Sequence, residues 1–301
     1  MSHLDLFMSA TTTFSGLQKE LADADYIMVG VPFDATSTYR SGSRFAPHAI
    51  REASLNIETY SFRTGIDLEE LKLHDAGDLN VTGDADETLK RLKLVTNEVM
   101  SRGKTPVFLG GEHTITLGAV KGICGDFTLV CFDAHLDLRN EYMGQTVCHA
   151  TVMRRVSEVA RLSRIVEVGT RAACKEEIEY AEDKKIDYIT SGQIMQVGIE
   201  ETANKIDALL AGCERVYLTV DMDVLDPAFA PAVQNPEPEG LSTHVLLNLL
   251  TKLCDHRIVA FDLVEVAPHY DTGTTAIQAA KIISEILSHI HRSRKKTSVK
   301  T

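Results

Sequence analysis

The chain has 301 residues, 44% of them hydrophobic, enough to bury one large core near the upper size of a single domain. Its 43 acidic against 31 basic residues leave a formal net charge of −12, which argues against nucleic acid as a partner and favours cationic small molecules. No basic, apolar export signal opens the chain, no apolar run approaches the ~20 residues that cross a bilayer, and the six cysteines lack paired spacing. A single domain over residues 1–301 of a cytoplasmic protein with reduced thiols and no membrane contact is therefore expected.

In chain order, near-continuous apolar runs predict buried strands at 26–31, 106–109, 128–132, 216–220 and 258–261. Each run leads into polar residues: Asp34 after the first, Gly110-Gly111-Glu112-His113 after the second, Asp133 after the third, Asp221 after the fourth, and Asp262 with Glu265 after the fifth. Apolar residues spaced three or four apart predict helices at 87–101, 199–210, 245–254 and 275–290. Asp75-Ala76-Gly77-Asp78 reads as a structural turn. The basic run Arg292, Arg294, Lys295, Lys296 and Lys300 reads as a solvated, flexible tail over 291–301. Strands alternating with helices predict an α/β fold with helices on both faces of a parallel sheet, and sites in such folds lie outside the carboxyl ends of the strands.

Asp133-Ala134-His135-Leu136-Asp137 places three ligand-type side chains two residues apart, so that in extended chain they share one face. Asp221-Met222-Asp223 repeats the spacing, and His113 adds an imidazole from a third strand end. Any one of these segments alone has an ordinary reading: a turn, a helix cap or a hydrogen-bonded loop. Together they collect four carboxylates and two imidazoles. Buried carboxylates without counter-charge cost several kcal/mol each, and two divalent cations would balance four of them. Mixed Asp/His ligation without Cys favours Mn2+ before Zn2+. Two such ions about 3.5–4 Å apart activate a shared water near neutral pH, so metal-assisted hydrolysis is expected.

These segments, in this order, resemble the ureohydrolase family of arginases and agmatinases. The resemblance extends to Val29-Gly30-Val31-Pro32-Phe33-Asp34, to Arg40, Gly42, Arg44, Pro47 and Ile50-Arg51-Glu52, and to Val264-Glu265-Val266-Ala267-Pro268, which covers roughly residues 24–290. It implies a three-layer α/β/α fold around an eight-stranded parallel sheet and a centre of two Mn2+ per chain. His113, Asp133, Asp137 and Asp221 would hold one ion; Asp133, His135, Asp221 and Asp223 would hold the other. Glu265 would pair with the substrate guanidinium through parallel hydrogen bonds, Asp137 would orient the attacking water, and His149 would shuttle a proton to the leaving amine. Trimers or hexamers are implied in the same way.

Agmatine, cleaved to putrescine and urea, is the expected substrate, because the stretch before His149 (Arg139-Asn140-Glu141-Tyr142-Met143-Gly144-Gln145-Thr146) lacks the Ser-Gly-Asn with which arginases hold an amino acid head group. Gln234-Asn235 stands where the family has Gly-Thr, and Arg139 adds a cation near the mouth, so guanidinobutyrate, formiminoglutamate and arginine remain alternatives. A single-zinc deacetylase would not need His113, Asp137 and Asp223, and an inactive metal-binding regulator would be expected to lack a ligand.

Overall fold

The computed structural model describes residues 2–298. Eleven strands form: β1 (Met8–Ser9), β2 (Tyr26–Val31), β3 (Tyr60–Ser61), β4 (Ile66–Asp67), β5 (Leu73–Leu79), β6 (Thr105–Gly110), β7 (Phe127–Phe132), β8 (Leu162–Thr170), β9 (Asp187–Thr190), β10 (Val216–Asp221) and β11 (Ile258–Val264). Nine of them make one sheet in the order β1-β5-β2-β6-β11-β10-β7-β8-β9, and β3 pairs with β4 in a separate hairpin. Eight strands run parallel, as expected; the ninth, two-residue β1, is added antiparallel on the β5 edge.

Strands β2, β6, β7 and β10 are buried at every position, which is why they read as unbroken apolar runs. Their alternation appears only in the layer that each residue joins. Leu109, Val130, Phe132, Leu218 and Val220 pack with Leu250, Ile283 and Ile286 on one side. Phe108, Leu129, Cys131 and Tyr217 pack with Leu92, Val95 and Ile115 on the other. The helices on the two sides start where capping chemistry allows: Asp84 accepts from Glu87 N–H ahead of Ala85–Ser101, and Ser242 from Val245 N–H ahead of Thr243–Leu253.

Two local expectations are corrected. Asp75-Ala76-Gly77-Asp78 is not a turn but the middle of β5, beside a register irregularity against β2. Its acids serve Arg51, which is fully buried. The Arg51 guanidinium donates to Asp75 Oδ2 and Oδ1 at 2.8 Å each, to Asp78 Oδ1 at 2.6 Å and to the Gly77 carbonyl at 3.0 Å. Gly30 leaves room for the cluster, since a Cβ there would lie 1.9 Å from Asp78 Oδ1. The basic tail is likewise helical through residue 298, in Thr274–Ser298, because its cations meet acceptors on the packed body. Arg292 donates to the Arg63 carbonyl, Arg294 to Thr105 and the Ile258 carbonyl, and Lys295 to Glu70. Residues 299–301, including Lys300, lie outside the described residues.

Removing the Arg51 side chain would leave two acids facing each other without a counter-charge, one of them buried. Arg51→Ala should therefore lower unfolding free energy by about 3–5 kcal/mol. Urea-denaturation midpoints of the variant and wild type measure this; a loss below ~1 kcal/mol would contradict the assignment.

Candidate active site

The sheet order, rather than the chain order, assembles the site. Strands β6, β11, β10 and β7 are neighbours, and their carboxyl ends deliver His113, Glu265, Asp221 with Asp223, and Asp133 with His135 and Asp137 side by side. All eight residues singled out in the sequence come together here: Asp137, Asp221, Asp223, Glu265, His135 and His149 line one open cavity of about 440 Å3, while Asp133 and His113 lie buried against its floor.

The carboxylates divide their oxygens between scaffold and site. Asp133 Oδ1 accepts the His135 N–H at 2.6 Å, Asp221 Oδ1 the Asp223 N–H at 2.8 Å, and Asp223 Oδ1 the Ala134 N–H at 3.1 Å. The Oδ2 atoms turn inward. Around His113 Nδ1 stand Asp133 Oδ2 at 2.9 Å and Asp137 Oδ2 and Asp221 Oδ2 at 3.3 Å. His135 Nδ1 faces Asp223 Oδ2 at 3.0 Å and Asp133 Oδ1 at 3.5 Å, so Asp133 addresses both imidazoles.

His113 Nδ1 is buried without a hydrogen-bond partner although three carboxylate oxygens crowd it. A nitrogen lone pair and carboxylate oxygens converging on one point form a donor set for a cation, and this all-N/O set suits a borderline-hard divalent metal. The other ring nitrogen of His113 meets Thr219 Oγ1 at 3.0 Å, which fixes the ring. Cys131 Sγ lies 4.0 Å from that Nε2 and 3.9 Å from Asp133 Oδ2, at the edge of the cluster.

Without cations the cluster gathers protons instead. Burial acts against charge on both histidines, yet the surrounding Asp133, Asp137, Asp221 and Asp223 raise His113 and His135 well above their ordinary range. Burial, reinforced by neighbouring acids, raises Asp221 strongly and Asp137 to about 7. Asp133, held by both imidazoles, is lowered despite its burial.

Glu265 follows β11 with φ of 71°, and Asp137 has φ of 51°; side chains seldom accept this left-handed backbone, and it often marks functional positions. Glu265 Oε1 accepts the His113 N–H at 2.6 Å, while its Oε2 is buried with no partner. Burial and the nearby Glu112 push its carboxyl well above the usual range, so an incoming cation would restore its charge.

His149 Nδ1 lies 3.0 Å from the Thr36 carbonyl, which can only accept, so the proton sits on Nδ1. Nε2 therefore carries the lone pair and accepts from the Thr38 hydroxyl at 3.1 Å. Burial, with the nearby cationic histidines, lowers His149 to about 4.

Several contributors escaped the sequence reading. Thr38, Tyr142, Arg171, Glu177 and Glu237 line the cavity. Glu112, in the Gly-Gly-Glu-His segment but given no role, is buried and bound by Thr36 through N–H and hydroxyl. Gln234 turns away from the cavity to donate to Ser43, leaving only Asn235 on the wall.

A family model described as the arginase family matches residues 24–288. An agmatinase of Bacillus subtilis is 35% identical over 91% of this chain and 94% of its own. An N(1)-aminopropylagmatine ureohydrolase of Thermococcus kodakarensis is 36% identical over 86% of this chain and 88% of its own. A solved agmatine ureohydrolase of Thermoplasma volcanium superposes with a TM-score of 0.89 at 38% identity, covering 96% of this chain and 97% of that one. The chain belongs to the arginase family. Within it the protein is a ureohydrolase, with agmatinases among its relatives.

The His149 geometry can be checked directly. Nitrogen NMR of the metal-free protein should show a neutral, Nδ1-protonated ring at pH 7 that titrates near pH 4. Because its folded pKa is depressed, the stability tied to the neutral ring is present above about 6.5 and lost as pH falls towards 4. A midpoint at 6.5 or above would contradict the buried, singly protonated ring.

Proposed function

We propose that the site holds two Mn2+ ions and hydrolyses agmatine to putrescine and urea. The observation that carries this reading is the collection of four carboxylates and two imidazoles, all but His135 buried, at neighbouring strand ends beside a Glu265 oxygen that has no partner. His113, Asp133, Asp137 and Asp221 would hold one ion, and Asp133, His135, Asp221 and Asp223 the other. Such a pair supplies Lewis acidity and a water acidic enough to ionise near neutral pH.

The protein's own groups do the rest. Glu265, its carboxylate plane held by the His113 N–H, offers Oε2 to the guanidinium and turns the central carbon towards the Asp cluster. Asp137 accepts a hydrogen bond from the attacking water and orients it. His149, neutral at pH 7 with its lone pair on Nε2, takes up a proton before passing it to the departing amine. Thr38 holds that nitrogen in line.

The rim favours a cationic tail. Glu237 stands half exposed, its carboxylate 3.9 Å from His135 Nε2. Arg139, the group that favoured an acidic tail, lies over the Tyr142 ring at 5.0 Å and 3.9 Å from Glu177 Oε2, so its charge is already engaged. Assembly into a trimer or hexamer, cytoplasmic residence and a single domain belong to the same reading.

Metal analysis of chelated and reconstituted protein should find two Mn2+ per chain. Asp133→Ala and Asp221→Ala should lower both metal content and urea release, the latter to about 1% or less, equivalent to ~2.7 kcal/mol of barrier. Full activity with one ion per chain would sink the two-metal reading.

A substrate panel of agmatine, N(1)-aminopropylagmatine, arginine and guanidinobutyrate tests the tail. Agmatine should exceed arginine by at least tenfold in kcat/KM, because buried polar groups left unpaired cost about 1–3 kcal/mol each. A tenfold preference for arginine or guanidinobutyrate would overturn agmatine as substrate and leave the hydrolytic chemistry standing.

A further inference from the structure

Arg171 lines the site cavity, yet among the described residues it points no donor at an acid side chain within hydrogen-bond reach. All three of its guanidinium nitrogens are spent on main-chain carbonyls. Nε donates to Pro238 at 2.8 Å; Nη1 to Gly169 at 3.2 Å and Val224 at 3.3 Å; and Nη2 to Asp223 at 2.6 Å, Glu237 at 2.9 Å and Leu225 at 3.3 Å. These carbonyls belong to three separate segments: the end of β8, the turn that carries Asp223, and the rim that carries Glu237.

The backbone of Arg171 adds a fourth segment. Its own N–H and that of Ala172 both donate to the Ala134 carbonyl, between Asp133 and His135. Close approach is possible because Gly169 precedes it: a Cβ there would lie 2.5 Å from Val224 Cγ2, and its φ of 99° disfavours any side chain. A planar fork with five N–H donors suits this role, whereas an ammonium with three donors cannot span it.

We infer that Arg171 is a positioning residue that fastens the Asp223 turn and the Glu237 rim to each other. It would thereby couple one half of the metal centre to the wall that receives the substrate tail. The inference deepens the proposed function and rests on it. It predicts an asymmetric defect, because His113 and Asp137 are held by other elements and Asp223 and Glu237 are held by this one.

The test compares Arg171→Lys and Arg171→Met with wild type in the full chain. Mn2+ is titrated calorimetrically into chelated protein, amide exchange is followed in metal-free protein, and steady-state constants are measured with agmatine. In both variants one Mn2+ equivalent should bind at least tenfold more weakly, the scale expected when a group supporting a ligand is lost, while the other changes less than twofold. Amides of 222–226 and 236–240 should lose protection while those of the central strands keep theirs. KM should rise at least fivefold, with kcat at saturating Mn2+ within twofold.

Unchanged affinity at both metals with unchanged KM would overturn the inference. So would a loss of protection spread evenly over the sheet, which would make Arg171 a general stabiliser. If Arg171→Met does not fold, Arg171→Lys decides by the same readings. Wild-type protein that binds no Mn2+ and releases no urea would defeat the proposed function alone, since the exchange pattern is read without metal and still decides the role of Arg171.

Discussion

Negative charge held away from water is the constraint on which the rest of this structure depends. Three neighbouring strand ends bring Asp133, Asp137, Asp221, Asp223 and Glu265 into a space where each ion costs several kcal/mol to desolvate. The protein meets that cost in layers. Beneath the cluster, Glu167 is buried with both carboxylate oxygens unpartnered, and burial, reinforced by Asp133, raises its carboxyl well above the usual range. Asp262, also raised by burial, accepts from Thr116 and Tyr217. Only the uppermost acids open into the cavity, where positive charge can arrive.

Backbone geometry then decides what those acids can do. Asp133, Asp221 and Asp223 each give one oxygen to a main-chain N–H two residues or one strand away, which locks the side chain and aims the other oxygen. An acid free to rotate would lose side-chain entropy on meeting a cation; these acids have lost it on folding. Left-handed backbone at Asp137 and Glu265 is held by the same packing, and these are the residues assigned to orienting water and seating the guanidinium.

The cavity rim has a different organisation. Its two arginines are satisfied before any ligand enters, Arg171 by carbonyls and Arg139 by Tyr142 and Glu177, so the mouth presents less positive charge than its composition suggests. Glu237 is the less engaged charge. A net charge of −12 would draw cations towards the protein, and the rim would select among them.

The sequence by itself determined the site's strand ends and which acids and histidines gather there. Short apolar runs that each lead into polar residues read as strands buried on both faces, and Asp-X-His-X-Asp gains its meaning only beside Asp-X-Asp and His113 at neighbouring run ends. Strand β5 was hidden because its alternating burial and two acids look like a turn, and β9 because it is a short edge strand. What only the tertiary structure decided was pairing across long sequence separations: Arg51 with Asp75, Thr38 with His149, Glu265 Oε1 with the His113 N–H, and Arg171 with carbonyls as many as 67 residues distant. Periodicity reports which face a residue occupies. It carries no information about which distant backbone groups a side chain will meet, because that depends on the sheet order, and the sheet order departs from the chain order where the site forms.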